Sequence, residues 1–355
     1  MGIYYFTIVL LMFSSFLETR IDMRSIKKKY SLYIYILPLL YIIFHIGLRW
    51  EIATDWGPYL QIFKNSSTYI KENVGIEKGY LFLNYMFYEV SDFQVFIVFH
   101  AILTYLISFL FFRKYTIYPA LAMMWFYATT LGMVGSNRQF LAIDIGMIAI
   151  LLYDKTKKLK YFFPLVLCAF LFHTSSILLA VYPFLYRKIT NKMVIIILLT
   201  SILIGFTNLT GIITSHIGIL GQIAENKMEA YSDEGDSGYS VFAILKRIII
   251  LVVALYLRKR NKEVFSDVVF NGYLFGVCLY FVFGQSLTIL ATRGAFYFNI
   301  MEPVLITYYL YFIKNTIIKH TYVLAISILC MFLSLISIKQ YPEIYVPYKS
   351  KVLGL

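Results

Sequence analysis

The chain has 355 residues, of which 60% are hydrophobic, 19% aromatic and only 14% charged. Soluble domains carry about 25% charged residues, so a water-facing globule of this composition would lack the charges to cover its surface, and the aromatic content excludes a disordered chain. The formal net charge of +13, from 32 Lys and Arg against 19 Asp and Glu, does not indicate nucleic acid, because no basic groove interleaved with aromatic residues accompanies it; it fits basic loops held on the cytoplasmic side of a membrane.

Apolar blocks of about twenty residues recur along the whole chain, the length that crosses a bilayer core as a helix. They are continuous rather than alternating, which excludes a transmembrane β-barrel. In chain order, spans are expected near residues 3–18, 31–48, 93–112, 117–135, 138–153, 193–213, 241–257, 267–290, 295–313 and 321–338. The first has no basic residues before it and no small-residue cleavage site after it, so it reads as a retained span rather than a signal peptide. Residues 79–90 are apolar but short, suiting an interfacial or re-entrant segment. Residues 159–186 read either as one long span or as two short helices meeting at His173. Cys168, Cys278 and Cys330 lie inside apolar runs without metal-site or redox spacing, and read as packing residues.

The basic residues orient these spans. With residues 18–30 on the cytoplasmic side, alternation puts 113–116 and 154–160 there too, and these three loops hold eleven Lys and Arg. The outward segments up to residue 138 hold five: Arg49, Lys64, Lys71, Lys78 and Arg138. If 159–186 is a hairpin, loops 187–192, 258–263 and 314–320 are also inside, and the same bias continues. The expected fold is therefore all-α: a polytopic integral membrane protein with about 11–12 transmembrane helices, including a short helical hairpin around residue 173, and no soluble domain. Residues 1–355 read as a single membrane domain with long outward loops at 49–78 and 214–240 and both termini outside.

On this topology the unusual polar residues gather on the outward face. RWEIATDWGPY at 49–59 supplies Arg49, Asp55 and Tyr59; EKGY at 77–80 supplies Glu77 and Tyr80; SNRQFLAIDI at 136–145 supplies Asn137, Arg138, Gln139 and Asp144; FHTSS at 172–176 supplies His173; TRGAFYF at 292–298 supplies Arg293 and Tyr297. Arginines at helix ends ordinarily snorkel and anchor their spans. Three on one face also suit a diphosphate, because guanidinium stays charged and binds phosphate oxygens in a bidentate fork. A carboxylate beside apolar surface can take a proton from a hydroxyl; Asp55 and Glu77 are the candidates, each with the alternative of a solvated loop acid. His173 is either a base or a hydrogen-bonded core histidine. Asp144 falls inside a span, where an acid is a functional candidate by default. Asp233, Glu234 and Asp236 read as a solvated loop rather than a calcium site, so no metal ligand is assigned. Lys246 and Arg247 read as contacts to lipid headgroups. No phosphate-cradling glycine loop, zinc-protease or nucleophile-elbow motif is present, and no cofactor is expected.

With VPYKS at 346–350, these stretches, in this order and spacing, resemble the EpsG family of bacterial polysaccharide polymerases, related in role to Wzy-type O-antigen and capsule polymerases. The sequence departs from the family pattern at Ala53, where the family often has glycine before the Thr-Asp pair. The resemblance implies a multi-pass glycosyltransferase of the bacterial inner (plasma) membrane, making O-antigen, capsular or exopolysaccharide. It would move a glycan from an undecaprenyl diphosphate carrier at the outer leaflet onto the next lipid-linked repeat unit, without metal or nucleotide. Arg138 and Arg293 would then hold the leaving diphosphate with Arg49, and Asp55, Glu77 or His173 would activate the acceptor. Tyr59, Tyr80 and Tyr297 would stack on sugars, and Asn137 and Gln139 would contact substrate. Implied partners are the lipid-linked oligosaccharide, the bilayer and a chain-length regulator. A flippase for lipid-linked oligosaccharides is the rival, but its cations should line a route between both faces and its sequence should show a repeat. A membrane acyltransferase is the third class.

Overall fold

The structure is a computed structural model that describes residues 1–20, 28–207, 240–260, 265–285 and 290–354, with backbone alone for 28–32. The expected acidic loop at 214–240 and most of the basic loop at 18–30 therefore lie outside the described residues. Among the described residues every regular element is helical and no strand occurs. The chain forms two compact units, residues 1–177 with 309–355 and residues 178–308.

The larger unit contains α1 (Gly2–Arg20), α2 (Lys28–Gly47), α3 (Trp56–Lys64), α4 (Ser66–Lys71), α5 (Lys78–Val90), α6 (Phe93–Tyr115), α7 (Pro119–Thr130), α8 (Asn137–Thr156) and α9 (Leu159–Phe170), and ends with Thr316–Gln340 and Pro342–Tyr345. Local chemistry sets many of these boundaries. Asp92 caps α6 by accepting from the Val95 amide at 2.9 Å, and Arg113 and Lys114 in its last turn complement the helix dipole. Pro119 opens α7. The buried Glu18 side chain accepts from the Ala120 amide at 2.7 Å through Oε1, capping the α7 N-terminus from α1. Asn315 caps the last long helix through the Ile317 and Ile318 amides.

α1 packs on α2, α7 and Thr316–Gln340; α6 packs on α2 and α8; α8 packs on α9. Small residues let the helices approach closely: a Cβ on Gly47 would meet the Val98 Cα at 3.1 Å, and Ser14 on α1 donates to the Ile34 carbonyl of α2 at 2.9 Å. The outer faces are apolar too. Val95, Ile102, Leu106 and Leu110 line one exposed stripe of α6, and Ile317, Leu324, Ile328, Phe332 and Ile336 one of the last long helix. Helices that are hydrophobic on both packed and unpacked faces suit hydrocarbon rather than water. Gly2–Arg20, Phe93–Tyr115 and Thr316–Gln340 are each long and apolar enough to cross a membrane, and shorter apolar helices accompany them.

One expectation changes in detail, and one choice between two readings is resolved. Residues 49–78 are not simply a loop, because α3 and α4 lie within them. Trp56, Tyr59 and Phe63 recur at helical spacing and pack on Tyr80, Phe93 and Phe96, which makes α3 an amphipathic helix lying on α5. Residues 159–186 are two helical segments, α9 and the 3₁₀ helix Thr174–Tyr186, separated at 171–173.

The second unit packs α10 (Asn191–Gly205) on Asp267–Phe283, and Val241–Arg260 on Glu302–Tyr308. The expected continuous span 295–313 is instead divided into Ala295–Asn299, Glu302–Tyr308 and Tyr309–Phe312. Pro303 lacks an amide proton, so the Asn299 carbonyl four residues before it has no helical donor there and the run breaks at 300–301.

Candidate functional site

Three of the motif stretches of the larger unit, 49–59, 136–145 and 346–350, meet at the segment after α2. Arg49 is 2% exposed. Its Nη1 donates to the Ile46 carbonyl at 2.6 Å, and its Nη2 to the Val134 carbonyl at 3.0 Å and to Asn137 Oδ1 at 3.4 Å. The guanidinium fork thus joins the end of α2 to the turn before α8. Gly135 in that turn passes so close to residue 53 that a Cβ there would lie 2.8 Å from the Ala53 Cβ. Ala53 itself has φ +92°, a conformation that favours glycine. The departure from the family pattern therefore sits on a strained residue. Ala53→Gly is expected to stabilise the protein by about 1 kcal/mol, the strain relieved less the added chain entropy of glycine. Thermal unfolding in detergent should show a midpoint about 2 °C higher; a lower midpoint would contradict the strain.

The last residues of the chain hold the same segment. The Trp50 amide donates to the Lys349 carbonyl at 2.9 Å, Tyr348 Oη to the His45 carbonyl at 2.6 Å, and Lys349 Nζ pairs with Glu51 at 3.2 Å. Tyr4 Oη donates to the Tyr345 carbonyl at 2.9 Å, which fixes this strap to α1. The 346–350 stretch, 300 residues from the first in sequence, is thus its direct neighbour.

A second cluster joins α3, α5 and α8. Arg138 Nη1 lies 2.7 Å from Glu77 Oε2, and Arg138 Nε donates to Tyr59 Oη at 3.3 Å. The Glu77 side chain is only 7% exposed, while that of Arg138 is 27% exposed. Burial works to raise the Glu77 pKa, but the charge and hydrogen bond of Arg138 outweigh it, so the carboxyl titrates below its ordinary range. The Gly79 and Tyr80 amides both donate to the Leu171 carbonyl, at 2.9 and 3.3 Å. A Cβ on Gly79 would lie 2.8 Å from that oxygen, so only glycine lets α5 reach α9 this closely. The docking sets the 77–80 stretch against the start of 172–176, where Ser175 Oγ and His173 Nδ1 are 2.7 Å apart. The nearby His173 further favours the ionised form of Glu77. Residues 59, 77–80, 138 and 171–175 therefore form one constellation.

The remaining candidates fall elsewhere. Asp55 is half-buried before α3, where Thr54 Oγ1 donates to it at 3.3 Å. Asn137 is buried, with its carbonyl accepting from His100 Nε2 at 2.9 Å, and Gln139 is buried on α8. Asp144 is buried on α8 and accepts from Thr104 Oγ1 at 2.8 Å. The rings expected to stack on sugars are interior: Tyr59 and Tyr80 meet edge to face, with centroids 5.6 Å apart, and Tyr297 is buried in the second unit. Such broad apolar faces are more effectively buried against protein than left open. Arg293 also belongs to the second unit, on the π-helical turn Leu290–Gly294, partly exposed.

Sequence reasoning missed two features. Glu18 looked like the end of a span but caps α7. Lys246 and Arg247 have protein partners: Lys246 Nζ pairs with the buried Glu302 at 2.8 Å, and the Arg247 guanidinium lies 3.8 Å from the Tyr280 ring centroid. A mid-helix cation reads the same in sequence whether it points to lipid or to a buried acid 56 residues away.

Among the described residues the fold is all-helical, with three helices long and apolar enough to cross a membrane, and it carries a half-buried cation–carboxylate constellation assembled from distant stretches. The EpsG family's sequence profile matches residues 32–350. The chain belongs to the EpsG family, consistent with a polysaccharide polymerase role. No curated protein and no solved structure matches it.

Proposed function

We propose that the protein is a multi-pass glycosyltransferase of the bacterial plasma membrane that polymerises lipid-linked oligosaccharide repeat units. The single observation that carries this reading is the Arg138–Glu77–Tyr59 constellation, with His173 beside it, in a chain of this family. The donor is a glycan on undecaprenyl diphosphate at the outer leaflet. The acceptor is a sugar hydroxyl of the next lipid-linked unit. The hydroxyl oxygen forms a bond to the anomeric carbon, the bond from that carbon to the diphosphate oxygen breaks, and the diphosphate leaves with the electron pair. The hydroxyl proton passes to a carboxylate or imidazole.

Arg138 is the cation assigned to the diphosphate in this reading. Arg138 directs two of its five N–H groups to Glu77 and Tyr59 and keeps part of its surface open. A diphosphate arriving there competes with Glu77 for the guanidinium. Once released, the nearly enclosed carboxylate becomes more basic, because burial is no longer offset by its partner. The base is thereby switched on by the donor, and charge on the leaving diphosphate is met by a preset cation. Asp55 and His173 remain alternative proton acceptors. Arg49, Asn137 and Gln139 act as positioning residues beneath this surface, as do the buried Tyr59 and Tyr80.

Deleting the protein in its native cell tests the reading. Single repeat units should then appear on the cell surface, with long polymer lost. Lipid-linked units trapped on the cytoplasmic face would instead favour a flippase.

A further inference from the structure

A basic cavity lies in the second unit, lined by none of the residues assigned to glycosyl transfer. It has a volume of about 400 Å³ and is lined by Lys188, Thr190, Asn191, Arg258, Lys259 and Asp267. Three cations face one carboxylate there, and that carboxylate is already engaged: Arg258 Nη2 donates to Asp267 Oδ1 at 2.8 Å. Arg258 Nη1 is buried and has no acceptor among the described residues. A guanidinium N–H without an acceptor is costly unless a ligand or water supplies one.

The cavity is held in shape from several sides. Asn271 Nδ2 donates to the Leu185 and Arg187 carbonyls, each at 2.7 Å, which fixes the end of the 3₁₀ helix and the turn that carries Lys188. Arg258 also lies over the Phe270 ring at 4.9 Å, so its head cannot swing freely. The cavity opens at the start of α10, where first-turn amides lack intrahelical acceptors and the helix dipole favours negative charge. Its cations come from 187–192 and 258–263, loops that the charge bias assigns to the cytoplasmic side.

We infer that this cavity binds a phosphate group, and that the phosphate is the headgroup of an anionic membrane lipid. Arg258 supplies a fixed donor at depth, and Lys188 and Lys259 close over the anion at the rim. Basic pockets between helices at the cytoplasmic surface are suited to anionic headgroups. The site is separate from the glycosyl-transfer reading and stands without it.

The test uses the full-length protein in neutral detergent and native mass spectrometry, with phosphatidylglycerol or phosphatidylcholine added. The wild type should retain phosphatidylglycerol over phosphatidylcholine. The variant K188E/K259E, which reverses two exposed charges and leaves the Arg258–Asp267 pair intact, should lose that preference by at least about tenfold. A control, K64E/K71E, reverses two lysines of the larger unit and should retain it. Binding of inorganic phosphate, followed by its ³¹P resonance, separates the two sources. Phosphatidylglycerol retention without phosphate binding supports a lipid site. Phosphate binding that K188E/K259E abolishes, without lipid preference, keeps the anion site but overturns the lipid. No preference in the wild type, or a preference that K188E/K259E leaves unchanged, overturns the inference.

Discussion

Substituting Arg138 with alanine is expected to abolish long polymer and to destabilise the protein, and the two losses should separate. Removing the guanidinium leaves Glu77, nearly enclosed, without its partner at 2.7 Å. Breaking such a pair from one side costs about 2 kcal/mol or more, because an uncompensated charge remains. Replacing both partners by glutamine removes that charge, so R138Q/E77Q should keep most of the thermal stability. It should not recover polymer, since loss of a donor aimed at developing charge lowers rate by about 100-fold or more. E77Q alone should fold well and make little polymer if Glu77 is the base. A pH titration adds an independent check. The Glu77 carboxyl is held below its ordinary range in the folded protein. Its contribution to stability is therefore present above the ordinary glutamate value of about 4.3 and is lost as pH falls through the depressed value. The wild type should lose part of its thermal midpoint below about pH 4, and E77Q should lose less. Equal acid sensitivity in both would detach the pair from stability.

Arg49 should behave in the opposite way. Its fork is spent on two main-chain carbonyls and Asn137, in an environment with almost no exposure. Arg49→Ala removes these bonds and leaves the Ile46 and Val134 carbonyls without this donor. Charged hydrogen bonds contribute about 1.5–3 kcal/mol each, so a loss of roughly 3 kcal/mol or more is expected. The protein should then be poorly recovered from membranes. Arg49→Lys keeps the charge but cannot reproduce the planar fork, so it should rescue little. If R49A folds normally and only polymer length falls, Arg49 contacts substrate after all.

These two arginines also show how far the sequence could be read. Hydropathy located most of the helices, because burying apolar faces and matching hydrocarbon thickness dictate the same twenty-residue pattern. α3 escaped, since nine residues with three aromatic positions are too short for a span and lie between polar stretches. The order of motifs pointed to the family, and the alanine at 53 marked a position where glycine would sit more easily. Pairing was beyond reach. Glu77 and Arg138 are 61 residues apart, and Tyr348 and His45 are 303 apart. An arginine at a helix end has one appearance in sequence and three fates: anchoring in the interface, gripping a ligand, or tying carbonyls together. Only packing distinguishes Arg49, which ties, from Arg138, which keeps an open edge. Lys246 illustrates the same ambiguity, resolved by the buried acid it meets.

The most direct measurement is reconstitution of the purified protein in liposomes with a synthetic undecaprenyl-diphosphate-linked repeat unit as both donor and acceptor. The account predicts one undecaprenyl diphosphate released per new glycosidic bond by the wild type, and neither product from R138Q/E77Q incorporated at equal amount and with native thermal stability. Equal bond formation by that double variant, or translocation of the lipid-linked unit across the bilayer with no bond formed, would contradict it.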